Sequence, residues 1–224
     1  MLIHSIINHP VDSTCFIVAS DSDSTCIVVD PGTQDCQELI RLLDDQSLVV
    51  QYIYLSHEHI DHIIGCKRMK ELFPQAKLVC SANCAKRLNN TRYNLSRFAE
   101  QFVPTDGFPE PEITFDDSIT ITWNGMEILF HSLPGHSEGS SIMKIGNDLF
   151  VGDSYIFHFK TTSTLPGSSR VDLINAFTYL LTAFADDNII VHPGHFAPCT
   201  LTDMKSEINP QLEKIKKLVA AKGK

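Results

Sequence analysis

The chain has 224 residues, of which 43% are hydrophobic and 20% are charged, a balance typical of a folded globular protein. A chain of this length can bury a full hydrophobic core without disulfides. The formal net charge of −9 disfavours binding to nucleic acid or to anionic membrane surfaces. We therefore expect a small-molecule substrate, with neither nucleic acid nor a membrane as a partner.

The start of the chain and its cysteine usage indicate a cytoplasmic protein. Residues 1–7 lack the basic segment that opens an export signal, and no apolar run reaches the roughly 18 residues that a membrane span requires. The seven cysteines are an odd number without the spacing of a disulfide scaffold. We expect reduced thiols and a cytoplasmic location.

The first part of the chain predicts three short strands and then a helix. Apolar runs separated by polar turns indicate an antiparallel meander at 2–7, 15–19 and 25–29. The third run leads into Asp30-Pro31-Gly32, so that Asp30 either caps this turn or supports a neighbouring site. Asp35 and Glu38 have the spacing of a capping box, which predicts the start of a helix.

A polar cluster directly follows the next predicted strand. The run 48–55 is rich in β-branched and aromatic residues and has the length of a buried strand. It leads into residues 56–62, Ser-His-Glu-His-Ile-Asp-His, where four of the seven residues are histidine or aspartate. Borderline cations such as zinc favour imidazole nitrogen and carboxylate oxygen. The cluster therefore predicts a metal site at the end of a strand.

The remaining elements alternate between helices and hairpins. A helix over 63–73, a short strand at 77–80 and an irregular helical segment over 82–102 come first. The acidic, proline-rich segment 106–117 could pass for a linker, but residues of metal-ligand type lie on both sides of it, so it does not separate two independent halves. Two hairpins are predicted around the turn pairs at 124–125 and 146–147. A helix with apolar positions from Leu173 to Phe184, a strand at 188–191, and a helix capped by Asn209 with Pro210 in its first turn complete the chain.

Three further residues of ligand type follow predicted strands, each directly after a glycine: His136, Asp153 and His195. Glycine lets the backbone turn sharply, so these side chains can point across one edge of a sheet. Together with the cluster they supply five histidines and two aspartates, enough for two ions that share one carboxylate. Two cations about 3.5–4 Å apart can hold a bridging hydroxide, because metal binding lowers the pKa of water to about 7.

The motif His-x-His-x-Asp-His, followed in order by Pro-Gly-His, Gly-Asp and Pro-Gly-His, resembles the metallo-β-lactamase superfamily. The similarity runs from Asp30 to His195. The resemblance implies an α/β fold, an αββα sandwich of two mixed β-sheets with external helices. We expect residues 1–224 to form a single domain of this kind.

The resemblance also implies a role for each ligand position. The first ion would be bound by His57, His59 and His136. The second ion would be bound by Asp61, His62 and His195, with Asp153 shared between the two ions. Asp61 would in addition be catalytic, because it would orient or deprotonate the attacking water. Two divalent ions are implied, zinc in the first place, with iron and manganese as alternatives.

Within this superfamily the chain is similar to the glyoxalase II-like branch, the hydroxyacylglutathione hydrolases and their short relatives. The shared segments are 94–96, 152–154 and 207–210. This branch implies a metal-dependent hydrolase of a small thioester. Only residues 196–224 follow the last ligand, so we expect the C-terminal helical domain of full-length glyoxalase II to be lacking. The Gly-Arg-Thr-Asp segment expected after the shared aspartate is replaced by Lys-Thr-Thr-Ser at 160–163.

Two other activities use the same ligand loops. One is a persulfide dioxygenase with a single iron held by His57, His136 and Asp153, and the other is hydrolysis of a different ester or a lactone. Candidate substrate contacts follow Asp153 or lie near the start of the next helix. The alternative for His158 is a surface position or support of the site, and that for Arg170 is a solvent-exposed position at the helix N-terminus. These candidates are Tyr155, His158 and Arg170.

Overall fold

The computed structural model describes residues 1–186 and 188–222, which form two facing six-stranded sheets with helices packed on them. The first sheet runs in chain order through β1 (Leu2–Ile7), β2 (Thr14–Ala19), β3 (Thr25–Val29), β4 (Val49–Tyr54), β5 (Lys77–Ser81) and β6 (Ile113–Phe115). Strands β1 to β3 pair antiparallel, whereas β3 to β6 pair parallel. The sheet is therefore mixed.

The second sheet runs in reverse chain order. It contains β7 (Ser118–Trp123), β8 (Met126–Ser132), β9 (Ser141–Ile145), β10 (Asp148–Gly152), β11 (Ile190–Pro193) and β12 (Cys199–Thr200). Its pairs are antiparallel except for β10 and β11, which are parallel. The αββα sandwich of two mixed sheets that the resemblance implied is thereby confirmed.

Helices follow the parallel strands and cover the outer faces. They are α1 (Gln37–Asp45), α2 (Ile60–Ile63), α3 (Cys66–Leu72), α4 (Ala82–Arg87), α5 (Arg170–Thr182) and α6 (Leu201–Lys222), with 3-10 turns at Ser96–Phe98 and Glu100–Phe102. Among the described helices, none combines the length and the apolar character that crossing a membrane requires.

Alternate side chains of a central strand contribute to two different hydrophobic cores, one on each face of the sheet. In β2, Phe16 and Val18 point into the core between the sheets, while Cys15 and Ile17 point into the core beneath the helices. Successive side chains of a strand face opposite sides, so a strand covered on both faces is apolar throughout. This is why β2 is buried along its whole length.

One predicted helix start lies close to the observed one, and the other is wrong. Before α1 the N-cap residue is Cys36 (φ 52°), whose side chain makes no capping bond, while Oδ1 of the predicted cap Asp35 accepts from the Gln37 N–H (3.2 Å). Helix α6 begins at Leu201 instead of Pro210, because Asp203 accepts from the Thr200 backbone N–H (3.2 Å) and the Thr200 hydroxyl accepts from the Asp203 N–H (3.1 Å). Pro210 lies inside this helix.

The buried stripe of α6 explains how the helix continues past its proline. Met204, Ile208 and Leu212 lie on both sides of Pro210 and pack in the same core as Leu173 and Phe177 of α5. Burying this stripe favours the continuous helix by more than the backbone hydrogen bond that the proline cannot donate. The predicted helix over 63–73 is also divided, into α2 and α3.

Candidate metal centre

Strand pairing brings the loops of the predicted ligands to one edge of the sandwich. The 56–62 loop follows β4, and the neighbouring parallel strand β3 ends at Val29, directly before Asp30. Parallel pairing of β10 with β11 places Asp153 beside His195, and the Gly194 N–H donates to the Gly152 carbonyl (2.8 Å). Chemistry commonly collects where parallel strands end, because several loops converge there.

The first ligand group contains three buried histidines. His57, His59 and His136 each offer a ring nitrogen, and these three atoms lie within 4.8 Å of one another. The Nε2 atom of His136 is 3.0 Å from Nδ1 of His59. The spacing allows one cation to contact all three rings.

The second ligand group contains one carboxylate and two histidines. Asp61, His62 and His195 also offer donor atoms within 4.8 Å of one another. The Asp61 Oδ2 atom is 3.4 Å from Nε2 of His62 and 3.4 Å from Nε2 of His195. This group is more open than the first, because Asp61 and His195 are partly exposed.

Asp153 faces both groups. Its Oδ1 atom is 3.6 Å from Nε2 of His62, and its Oδ2 atom is 3.6 Å from Nε2 of His136 and 3.4 Å from Nε2 of His195. The carboxylate thus contacts one histidine of the first group and two of the second. This is the position that a shared ligand would occupy.

The buried donors fit metal ions because several of them have no other partner. Among the described residues, Nε2 of His57, Nε2 of His62 and Oδ1 of Asp153 are buried without a hydrogen bond. Unpaired buried polar atoms are costly and therefore rare in folded proteins. Imidazole and carboxylate donors suit zinc and iron, and a cation at each group would satisfy these atoms.

Asp30 holds the 56–62 loop in place. Its Oδ1 accepts from the Ser56 backbone N–H (2.7 Å), and its Oδ2 accepts from the Ser56 hydroxyl (2.6 Å). The same Oδ2 is 3.0 Å from Nδ1 of His62, and the Ser56 hydroxyl is 3.0 Å from Nδ1 of His57. A carboxylate on one ring nitrogen fixes the tautomer that presents the other nitrogen to a metal. Of the two alternatives for Asp30, its contacts favour support of the site.

The histidines of the two ligand groups differ in their pKa values. Burial lowers the pKa of His57 and His136 and lowers that of His59 to about 3, so these rings are neutral at neutral pH. Burial also opposes charge on His62 and His195, but Asp61 and Asp153 outweigh it. These carboxylates hold the pKa of His62 well above its usual range and raise that of His195 to about 9.

The two aspartates of the site are ionised for the complementary reason. Burial alone would raise the pKa of Asp61 and of Asp153. The neighbouring His62 and His195 more than compensate, and both pKa values lie well below their usual range. Two anionic carboxylates therefore face the ring nitrogens, which is the charge that divalent cations need.

Glu58 lies inside the histidine motif but points away from the ligand groups. Its Oε2 accepts from the Ser137 hydroxyl (2.8 Å), which ties the 56–62 loop to the loop of His136. Burial raises the pKa of Glu58 to about 7. Its contacts give it a role in joining two ligand loops.

Two glycines allow the loops to approach one another. Gly152 has a φ of +49°, and a Cβ atom there would lie 2.4 Å from the Ser56 hydroxyl. A Cβ atom on Gly194 would lie 2.4 Å from Oδ1 of Asp153. The glycines that precede two of the ligands are therefore required by positive φ and by contact with the site itself.

A cleft of about 420 Å³ opens above the ligand groups. His59, Asp61, His136 and Asp153 form its polar floor. Most of its wall is apolar and comes from three segments of the chain. They contribute Val11, then Leu95 and Phe98, and then Ile156 and Leu165 from the loop between β10 and α5. Apart from the ligands, sequence reasoning missed these wall residues, because they lie in loops without periodicity.

The three predicted substrate contacts lie outside the residues that line this cleft. Tyr155 is fully buried and its hydroxyl donates to Oε2 of Glu207 (2.7 Å). The Nδ1 atom of His158 is 2.8 Å from Oε1 of Glu207, so both residues tie their loop to α6. Arg170, the first residue of α5, lines a neighbouring pocket that also contains Lys160. Contact with substrate stays a prediction for all three.

Comparison with known sequences finds relatives along most of the chain. An uncharacterised protein of Mycobacterium tuberculosis is 28% identical over 209 residues, 89% of this chain and 92% of that protein. A protein of Streptococcus pyogenes named a probable metallo-hydrolase is 28% identical over 214 residues, 94% of this chain and 90% of that protein. Hydroxyacylglutathione hydrolase 1 of Vibrio vulnificus is 29% identical over 133 residues, but only 58% of this chain and 43% of that enzyme are covered.

Solved structures share the fold at low sequence identity. BLEG-1, a B3 metallo-β-lactamase, matches with a TM-score of 0.83 at 20% identity, over 94% of this chain and 99% of that one. A di-iron-bound form of TTHA1623 matches with a TM-score of 0.73 at 21% identity, over 92% and 98%. ETHE1 from Myxococcus xanthus matches with a TM-score of 0.74 at 14% identity, over 97% and 91%.

The family model described as the metallo-beta-lactamase superfamily matches residues 9–195. This range begins before Asp30, ends at the last predicted ligand, and includes every histidine and aspartate of the two groups. It also covers both sheets from β2 to β11. The chain belongs to the metallo-β-lactamase superfamily.

Proposed function

We propose that this protein is a metal-dependent hydrolase that uses two divalent ions and acts on a small thioester. The observation that carries the proposal is the pair of three-residue groups on either side of Asp153. His57, His59 and His136 would hold one ion, and Asp61, His62 and His195 would hold the other. Zinc is the first expectation, and the imidazole and carboxylate donors also suit iron or manganese.

The bound ions would supply Lewis-acid chemistry, polarising the substrate carbonyl and lowering the pKa of water. The protein contributes position and charge. Asp61 lies on the cleft floor and is ionised, so its free acceptor positions can hold and orient the attacking water. The apolar wall receives the acyl part of the substrate and reduces the access of bulk water.

Thioester specificity is supported by partial relatives. Hydroxyacylglutathione hydrolase 1 of Vibrio vulnificus matches over 58% of this chain, and glyoxylase B2 of Dictyostelium discoideum is 31% identical over 55% of it. The three segments that resemble the glyoxalase II-like branch support the same reading. We also propose a cytoplasmic location and a small-molecule substrate without nucleic acid or membrane partners, supported by the net charge of −9 and by seven free, buried cysteines.

A second candidate is a mononuclear iron dioxygenase that oxidises a persulfide. Two imidazoles and one carboxylate, from His57, His136 and Asp153, are the donor set of many non-haem iron oxygenases. The Nε2 atom of His136 is 3.6 Å from Oδ2 of Asp153, as such a set would need. The second group favours the hydrolase, because it has no part in a single-iron site.

The deciding experiment measures metal content and turnover together. Protein loaded with zinc, with iron or with manganese is assayed for hydrolysis of S-lactoylglutathione and for oxygen consumption on glutathione persulfide. We expect two ions per chain and thioester hydrolysis, and loss of hydrolysis in Asp61→Ala. One tightly bound iron together with oxygen consumption would overturn the hydrolase in favour of the dioxygenase.

A further inference from the structure

A second pocket lies beside the catalytic cleft and carries three positive side chains. Its volume is about 130 Å³. Lys160 comes from the loop after β10, Arg170 from the first turn of α5, and Lys214 from the middle of α6. Three separate segments of the chain thus deliver a cation to one small concavity.

Some basic residues of the described chain have carboxylate partners, and these three do not. Lys67, Lys70, Arg87 and Lys216 each pair with a carboxylate. In the part of the chain that the structure describes, 1–186 and 188–222, no ion pair or side-chain hydrogen bond involves Lys160, Arg170 or Lys214. Other basic residues of the described chain also form no ion pair, so what distinguishes Lys160, Arg170 and Lys214 is that all three line one pocket.

Helix stability does not explain where these residues lie. Arg170 is the first residue of α5, where a positive charge opposes the helix dipole. Lys214 lies about two turns before the end of α6, too far from the C-terminus to benefit from the dipole there. Placing like charges together is unfavourable, and an anion between them would offset that repulsion.

Lys160 lines both the pocket and the cleft, so the two spaces lie on either side of one residue. The loop that carries Lys160 is fixed to α6, since Gln211 Oε1 accepts from the Thr161 N–H (3.4 Å) and Gln211 Nε2 donates to the Phe159 carbonyl (3.3 Å). The Thr161 hydroxyl also donates to the Ser154 carbonyl (3.3 Å), directly after Asp153. A ligand that reaches over Lys160 would touch both spaces.

We propose that Lys160, Arg170 and Lys214 form an anion subsite that binds a carboxylate or phosphate on the leaving-group side of the substrate. The guanidinium of Arg170 can bind either group with two hydrogen bonds, and the two lysines add charge. The acyl part would lie against the apolar wall and the anionic part of the thiol carrier in the basic pocket. The placement of the substrate rests on the proposed hydrolase function, whereas binding of the anion does not.

The kinetic test compares carriers that differ in charge. The lactoyl group is presented on glutathione, which has carboxylates, on coenzyme A, which has phosphates, and on neutral N-acetylcysteamine. The quantity compared is kcat/KM for the preferred anionic carrier divided by kcat/KM for the neutral carrier. In Lys214→Gln we expect this ratio to fall about tenfold, because KM for the anionic carrier rises. Lys217→Gln is the matched control, because it removes the same charge from the same helix outside the pocket. Equal effects of the two variants would overturn the subsite.

A binding test separates the subsite from the catalytic function. In zinc-loaded protein, the guanidinium NMR signal of Arg170, assigned by its loss in Arg170→Gln, is followed while inorganic phosphate or glutarate is added. We expect a saturable shift that weakens about tenfold in Lys214→Gln and persists in Lys217→Gln. If none of the thioesters is hydrolysed, the proposed function fails while this titration still decides the subsite. Absence of a saturable shift with both anions overturns it.

Discussion

The two ligand groups of the metal centre differ in burial and in charge. His57, His59 and His136 are 1–3% exposed, and burial keeps all three rings neutral. In the second group the side chains of Asp61 and His195 are 15% and 16% exposed, and two carboxylates raise the pKa of the histidines. One group has lost its protons because of burial, and the other retains protons because of its neighbours.

This difference implies that the two ligand groups bind metal with a different dependence on pH. A ligand must release its proton before it binds a cation, so metal affinity depends on how firmly the proton is held. The first group is ready to accept an ion near neutral pH. The second group must exchange protons for the ion, and the protonated histidines neutralise Asp61 and Asp153 until that happens. The predictions below test this contrast.

The largest effect is expected for Asp153→Ala, because Asp153 is the candidate ligand whose carboxylate lies against both groups. Losing the shared carboxylate weakens both ions and is expected to lower kcat/KM roughly a thousandfold or more. The fold should persist, since the ligand loops sit at the edge of an independent core. Metal content by mass spectrometry and thermal unfolding by circular dichroism check both parts. Loss of a cooperative unfolding transition would contradict the prediction.

Removing one histidine from each group should separate the two positions. His59→Ala is expected to abolish binding of one ion and His195→Ala that of the other, so each variant retains about one ion per chain at neutral pH. Metal-to-protein ratios after dialysis at equal free zinc give the result. Loss of both ions in both variants would show that the groups bind as one unit and would break the comparison.

The two positions should also respond differently to pH. The pKa of His195 is raised to about 9 and that of His62 also lies above its usual range, so both rings are protonated at pH 7. The zinc affinity of the second group should therefore rise with pH up to about 9. Below that value it should fall about tenfold per pH unit for each proton that the ion displaces. Burial lowers the pKa of all three histidines of the first group, that of His59 to about 3, so proton competition near neutral pH should be weaker there than at the second group.

This prediction is checked by competition with a chromogenic chelator at pH 6, 7, 8 and 9. The single-group variants isolate each position, since His195→Ala reports on the first group and His59→Ala reports on the second. The same pH slope in both variants would contradict the assignment of neutral and protonated ligands.

Much of the candidate metal centre could be predicted because its signals are local. The ligands follow apolar strands directly and come with glycines, and these features are visible in stretches of a few residues. The two mixed sheets were implied by the family motif, since periodicity alone does not set the order of strands. The start of α6 was missed because Pro210 is a stronger visible signal than the Thr200–Asp203 capping box.

The residues that surround the 56–62 loop could not be predicted from the sequence in the same way. The wall of the cleft includes Leu95 and Phe98 from an irregular segment and Val11 from a turn. Only the long-range packing of these loops makes them neighbours of the ligands. Asp30 is a similar case, because its partner Ser56 lies 26 residues away and only strand pairing brings the two together.

The smallest effect, and the finest test of the contrast, is expected for Asp30→Asn. This change removes the charge that faces Nδ1 of His62, while His57 is reached only through the Ser56 hydroxyl. Substituting the partner of a metal-binding histidine costs about 10–100-fold in metal affinity, so we expect about tenfold weaker binding at the second group and less at the first. Zinc affinity of each position is measured in the His59→Ala and His195→Ala backgrounds. Asp35→Asn, an exposed residue near the same strand, is the control. A larger loss of zinc affinity at the first group would contradict the prediction. It would show that Asp30 acts mainly through Ser56 and His57, and not through His62.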